Sequence, residues 1–438
     1  MTDLYYPLRS LREGHWFKLI CGASFQHLPA VRNLTLAYTL AGADCIDVAA
    51  DPAVIAAAKD ALKVAEKWAD AATARGYGIR GLPWLMVSLN DGEDPHFRKA
   101  EFNPAKCPPD CTRPCESICP AQAIALPDTG VIDERCYGCG RCVPVCPIGQ
   151  IVTRSYVYTP EAIAHLVLSL GIDALEIHTQ VGHLEDFKRL WCALAPWVEQ
   201  LKLIAISCPD GDGLIDYLKS LYKVMTPLPC PLIWQTDGRP MSGDIGIGTT
   251  RAAVKLGEKV LAANLPGYVQ LAGGTNHHTV PKLQAAELIR VHESEEIMNV
   301  AQSSVPTGFE QKLSVKDKGD LLNLPLQTQN SVRAGEADQS GVETEQSFNI
   351  APPTTQNSKV AGIAYGSYAR VLLSPVLDRL EKINKAEAYA NAPSLPSVQR
   401  VAGRLEETPQ LLWEAVAQAH SLVSPLKSLV KGKSTHCG

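Results

Sequence analysis

A chain of 438 residues, 46% hydrophobic and 20% charged, has enough apolar material for a soluble globular core, as two or three domains or as one large barrel with additions. The formal net charge of −5 argues against nucleic acid as a partner. No run of about 18 uncharged apolar residues suggests a membrane span, and the opening MTDLYYPLRSLREGHWFK lacks the basic-then-apolar order of a secretory signal.

Phe17–Cys21 is a short apolar run and reads as strand one. Leu28–Ala41 carries Val31, Leu34, Tyr38 and Ala41 at helical spacing and stops at Gly42. Asp44–Ala49 alternates as strand two. Asp51 and Pro52 then supply an N-cap and a proline at the first helical position. The helix they open places Ile55, Ala58, Leu62, Ala65 and Trp68 on one face and ends near Gly76. Trp84–Leu89 is strand three. Short links between alternating strands and helices predict parallel strands.

The next stretch, Cys107–Pro147, breaks the alternation and holds eight of the chain's 14 cysteines. Cys136-x2-Cys139-x2-Cys142-x3-Cys146-Pro147 has the ligand spacing of bacterial ferredoxins. Cys107-x3-Cys111-x3-Cys115-x3-Cys119-Pro120 is a looser copy. A cubane cluster needs four thiolates, and a tight loop reaches only three of its corners. In two-cluster ferredoxins the fourth cysteine of each run serves the other cluster. The expectation is therefore two [4Fe–4S] clusters, one on Cys107, Cys111, Cys115 and Cys146, the other on Cys136, Cys139, Cys142 and Cys119. Gly138 and Gly140 let main-chain amides approach the cluster sulfurs, and Pro120 and Pro147 set the chain direction. Zinc favours two separated Cys-x2-Cys knuckles. Disulfides fit poorly with the absence of a signal and with six further scattered cysteines.

Alternation then resumes. Helices are expected over Thr159–Leu170, Leu184–Gln200, Leu214–Met225, Thr249–Asn264, Val280–Ser294 and Ser367–Ala386. Strands four to eight are expected at Ala174–His178, Leu201–Cys208, Leu232–Gln235, Tyr268–Ala272 and Val360–Ala364. Eight repeats is the count of a closed (β/α)8 barrel of the TIM type, with the two-cluster ferredoxin-like segment inserted after strand three. The expected divisions are residues 1–100 and 153–302 for the barrel repeats, interrupted by the cluster segment at 101–152. Residues 303–359 read as a low-complexity insertion rich in Gln, Ser, Thr, Glu and Asn, expected to be disordered. Residues 360–392 form the last repeat, and 393–438 a helix (Pro409–Leu422) and tail. Gly432-Lys433-Ser434 is no P-loop, because the position five before Gly432 is Lys427.

Barrel active sites lie at the carboxyl ends of the strands, where the cysteine segment also departs. Alternation points Lys18, Asp47, Glu176 and His178 inward, either as a structural network or as catalytic candidates. Gly273, Gly274 and Gly366 occupy the positions where barrels often bind phosphate, so a flavin or phosphorylated ligand is the cofactor to weigh against ordinary turn glycines. Gly246-x-Gly248 is a fainter version of the same feature. His277 and His278 read as exposed loop residues. Cys21, Cys45, Cys192, Cys208 and Cys230 have no ligand spacing, and core packing is the default for each. Cys21 and Cys208 end strands one and five, from where they could reach the mouth. Cys437 reads as an exposed tail thiol.

The cysteine stretch from CPPDCTRPCESICPAQAI to ERCYGCGRCVPVCPIGQI, the opening GHWFKLICGASFQ and the later QLAGGTNHHT resemble the cyanobacterial light-dependent period (LdpA) family. The resemblance runs from the first residues to the seventh helix and resumes at Val360. It implies an iron–sulfur redox sensor or electron carrier that passes light-dependent redox state to the circadian clock and adjusts its period. It implies clock proteins as partners, namely the input histidine kinase and Kai proteins, with an unidentified electron donor. It implies a cytoplasmic location, with peripheral contact at the thylakoid membrane left open. Only the eight cysteines carry over from the family as functional residues. An iron–sulfur oxidoreductase with a flavin or small-molecule site in the barrel mouth is the alternative, and a subunit of a larger electron-transfer complex is a third reading.

Overall fold

The computed structural model describes residues 6–22, 27–92, 98–119, 123–127, 129–133, 135–136, 142–155, 160–239, 248–290, 358–390 and 403–428. These belong to one unit, Met1–His292 with Ile350–Gly438, and the second unit, Glu293–Asn349, lies outside them. Gly138, Cys139, Gly140, Pro120, Gly246, Gly432–Ser434, Cys437 and nearly all of the expected 303–359 insertion also fall outside.

Helix α1 (Tyr6–Glu13) precedes strand β1 (Trp16–Gly22), α2 (Leu28–Ala41), β2 (Cys45–Ala49), α3 (Pro52–Thr73) and β3 (Trp84–Asn90). Next come the short elements β4 (Arg98–Glu101), α4 (Pro114–Ile118), β5 (Ile124–Ala125), β6 (Gly130–Val131) and β7 (Val152–Ser155). The alternation then continues as α5 (Pro160–Leu168), β8 (Ala174–His178), α6 (Leu184–Leu194), β9 (Leu203–Pro209), α7 (Leu214–Met225) and β10 (Leu232–Asp237). It closes with α8 (Thr250–Ala262), β11 (Tyr268–Ala272), α9 (Thr279–Ala285), β12 (Gly362–Tyr365), α10 (Ser367–Ala390) and α11 (Pro409–Lys427).

The strands close into a barrel in the order β1-β2-β3-β8-β9-β10-β11-β12, with β12 returning to β1. Every barrel pair is parallel. The seam pairs Trp16 with Gly362. A Cβ on Gly362 would lie 2.4 Å from the Trp16 carbonyl oxygen, so glycine permits closure there. Since β3 and β8 are neighbours, the chain from Asp91 to Asp173 is one excursion from the carboxyl end of β3.

The outward strand faces and the helices enclose the main apolar core, which includes Phe17, Leu19, Leu34, Ile46, Val87, Ile177 and Ile206. A second apolar layer plugs the amino end of the barrel: Trp16, Cys45, Trp84, Met86, Leu203, Ile233 and Tyr268. Leu8 and Leu11 of α1 close it from below. Sequence reading passes over α1, because eight residues give too few turns for a periodic signal.

The predicted helix over Leu184–Gln200 is corrected to α6 followed by a 3-10 turn at Ala195–Gln200. Pro196 has no N–H to continue the α-helical ladder. Strand eight starts at Gly362 instead of Val360, and Val360 bridges Ile289 instead. The last helix continues beyond Leu422 to Lys427, whose side chain reaches Ser10 and Asp44 beneath the barrel.

Candidate functional site: the cysteine segment and the barrel mouth

Two antiparallel ribbons frame the cysteine segment. β4 pairs with β7, Lys99 opposite Arg154 and Ala100 opposite Thr153, and β5 pairs with β6. Asn103 caps a 3-10 turn at Pro104–Lys106 by accepting from the Ala105 N–H, and Cys107 follows directly. Cys115 lies in α4, and Cys119 ends that helix. Cys115, Cys136 and Cys142 are buried with Ala100, Ala123, Ile124 and Ile151, and Cys119 and Cys146 pack against this small core.

Seven cysteines of the two runs are described: Cys107, Cys111, Cys115, Cys119, Cys136, Cys142 and Cys146. Several of their sulfurs meet N–H donors. Ala100 N–H donates to Cys136 Sγ at 3.3 Å, Ala123 N–H to Cys119 Sγ at 3.2 Å, and Gln150 Nε2 to Cys107 Sγ at 3.1 Å. At Cys146 slight burial acts upward, but the main-chain N–H groups of Gln150, Ile148, Ile151 and Gly149 outweigh it and hold the thiol below its ordinary value. At Cys115 burial dominates and pushes the thiol up. Among the described residues no three of these side chains gather as a site for a single metal ion; what suits a cluster is the N–H bonding, because hydrogen bonds to sulfur stabilise the charge that a cluster carries.

The segment is joined to the barrel through Lys99. Its Nζ donates to the Asp133 carbonyl and lies 4.0 Å from Asp51 Oδ2. Asp51 in turn caps α3 by accepting from the Ala53 N–H at 2.8 Å. A second joint at the ends of β3 and β8 links Asp91 to the Thr179 hydroxyl and to His183, with Tyr217 on Thr179.

Inside the barrel, one level above the apolar plug, the predicted inward residues meet. Buried Lys18 donates to Glu176 and, at 3.0 Å, to Gln235 Oε1, and pairs with Asp47 at 3.0 Å. Ser88 donates to Asp47 at 2.6 Å, and His178 Nε2 lies 3.2 Å from Glu176 Oε1. Sequence reasoning missed Gln235, Gln270, Ser88, Ser207, Asp237 and Trp16. Gln235 donates to Glu176 at 2.8 Å and accepts from Gln270 Nε2 at 2.6 Å. Trp16 Nε1 donates to Gln270, and Ser207 donates to Asp237. Extending alternation along LIWQTD would have found Gln235 and Asp237, both on the face opposite Trp234.

Burial works against the Lys18 ammonium, but Asp47 and Glu176 outweigh it and raise its pKa well above the ordinary lysine value. A lysine held so firmly protonated is no amine nucleophile at neutral pH. Asp47 and Asp237 are both pushed up, chiefly by burial. The Lys18–Asp47–Glu176 group is thus a bonded polar layer.

The remaining predicted positions have packing explanations. Gly273 and Gly274 have φ of 64° and 97°. A Cβ would lie 2.6 Å from the Arg239 oxygen at the first and 2.9 Å from the Thr249 oxygen at the second. Gly366 precedes α10, whose Arg370 donates to the Ile20 carbonyl at 3.0 Å. His277 Nδ1 lies 2.7 Å from the Tyr368 hydroxyl. Cys21 and Cys208 are buried in the outer core between strands and helices, as the core-packing default expects. Cys45 belongs to the apolar plug, Cys192 is exposed and Cys230 half-buried.

Comparison with known proteins bears on both parts. Residues 107–157 match the LdpA Fe–S cluster-binding domain, and residues 166–425 match the light dependent period A C-terminal domain. Light dependent period A of Synechococcus elongatus is 53% identical over 296 residues, covering 68% of this chain and 81% of that protein. An uncharacterised ferredoxin of Methanocaldococcus jannaschii is 42% identical over 62 residues, which is 14% of this chain and 41% of the ferredoxin.

Proposed function

The chain belongs to the light dependent period A family, and from that premise we propose that it is an iron–sulfur redox sensor in light-dependent control of the circadian period. Two [4Fe–4S] clusters are held, one by Cys107, Cys111, Cys115 and Cys146, the other by Cys136, Cys139, Cys142 and Cys119. The observation that carries this reading is that sulfurs in both cysteine runs receive N–H bonds, Cys136 from Ala100, Cys119 from Ala123 and Cys107 from Gln150. Bound clusters supply one-electron chemistry. The chain's part is to hold the thiolates, donate hydrogen bonds to sulfur and fix the segment on the barrel, so that a change of cluster charge alters a surface that partners read. Resemblance supplies the partners, an input histidine kinase and Kai proteins, and a cytoplasmic setting. No described helix is long and apolar enough to cross a membrane.

Anaerobic purification with iron and sulfide analysis tests the proposal. About eight of each per chain are expected for two cubanes, with two interacting signals on reduction. Cys115→Ser and Cys142→Ser should each remove one cluster's worth, and Cys192→Ser none. Zinc in place of iron, or one cluster accompanied by flavin, would reverse the reading. The second outcome would favour an oxidoreductase built on the polar layer of Lys18, Asp47 and Glu176.

A further inference from the structure

Lys99 sits between the two parts of the molecule, 5% exposed on β4. Its ammonium donates to the carbonyl of Asp133, three residues before Cys136. The next residue, Ala100, donates its N–H to Cys136 Sγ, and Cys136 itself donates to the Ile132 carbonyl at 3.0 Å. The cation is therefore tied through a main-chain carbonyl to the turn that leads into Cys136, and its own strand bonds that cysteine's sulfur. Its carboxylate partner, Asp51, stands on the barrel side at 4.0 Å and is also buried.

We propose that Lys99, opposed by Asp51, is a positioning residue that sets the reduction potential of the cluster held by Cys136 and couples that cluster's charge to the first turn of α3. The proposal rests on the iron–sulfur reading above. One electron added to the cluster, from dithionite in the test below, places an extra negative charge on the cluster and its thiolates. A buried ammonium nearby favours that state, and salt screens it little. Asp51 opposes it by neutralising part of the ammonium's field. Through the Asp51–Ala53 cap, the same pair reaches the start of α3.

The two charges predict opposite signs. Lys99→Met should move one reduction step to more negative potential and leave the other in place. At the potential that half-reduces the wild-type cluster, the variant should show a roughly threefold or greater fall in the reduced-to-oxidised ratio. Lys99→Arg should restore the wild-type step. Asp51→Asn keeps a capping side chain but removes the opposing charge, and should move the same step to more positive potential. The measurement is an anaerobic dithionite titration followed by EPR, on full-length proteins with matched iron and sulfide content. Absence of clusters in the wild-type protein would defeat the iron–sulfur reading itself. Clusters present, with both variants unshifted or shifted in one direction, would overturn the role of Lys99. If Lys99→Met fails to fold, the sign of the Asp51→Asn shift decides.

Discussion

At the scale of single residues, the barrel interior turns on Lys18. It is fully buried, and Glu176 and Asp47 depend on it as counter-ion. Removing one partner of a buried ion pair strands the other charge and costs about 3–5 kcal/mol. Lys18→Met should lose that much in urea denaturation, and a loss under about 1 kcal/mol would show that the layer does not depend on the ammonium. The pKa of Lys18 is raised on folding, so its contribution is full below its unfolded value of 10.5 and fades as pH climbs through the higher folded value. Asp237 is also raised, by burial first, with His178 relieving and Glu176 worsening it. Its contribution is present below 3.8 and disappears as pH rises through its folded value. Asp237→Asn should therefore gain most on the wild type at neutral pH, and the gap should narrow on acidification. A gap that widens toward acid would contradict the burial argument.

Among the elements, α11 is held by a longer reach than its sequence suggests. Lys427 donates to Ser10 at 2.7 Å and to Asp44, and Asp44 also accepts the Phe17 N–H at 2.7 Å. Lys427→Met should cost about 3–5 kcal/mol by stranding Asp44, and the added change Asp44→Asn should recover part of it. Additive losses in the double variant would show that the two side chains do not act as a pair. Nothing in the sequence marks this contact, because 383 residues separate its ends. Local pattern carries the rest of the fold far better. The spans of α2, α7, β8 and β11 are readable to the residue. Their apolar spacing and end signals agree, as where Gly42 stops α2 in the left-handed region with φ of 99°. The inward set Lys18, Asp47, Glu176 and His178 is legible because strand alternation is strict. Their partners Gln235 and Gln270 are hidden, since a buried glutamine looks like any polar strand residue until the register across the barrel is known.

At the scale of the whole molecule, the described residues set the barrel's core beside the much smaller core of the cysteine segment. The barrel encloses a continuous apolar layer and a plug at its foot. Among its described residues the cysteine segment buries Ala100, Ala123, Ile124 and Ile151 beside its cysteines, with Phe102, Leu126, Val131, Val143 and Val145 partly buried against them. Ordering each residue costs about 1–2 kcal/mol of backbone entropy, and this small core offsets less of it than the barrel's does. On the iron–sulfur reading, bound metal is expected to supply the difference, with cluster binding part of the folding energy of the segment. Stripping iron with a chelator and ferricyanide should therefore raise amide exchange between β4 and β7 by orders of magnitude, while β8 to β12 keep their protection. Hydrogen exchange read by mass spectrometry resolves the two regions. Equal protection of the segment with and without iron would mean that its own packing suffices, and uniform loss would mean that the barrel leans on the clusters. The expected outcome gives the fold a physical logic: a stable barrel presents a segment whose order depends on its cofactor, so that oxidative loss of a cluster changes one surface of the protein and leaves the scaffold in place.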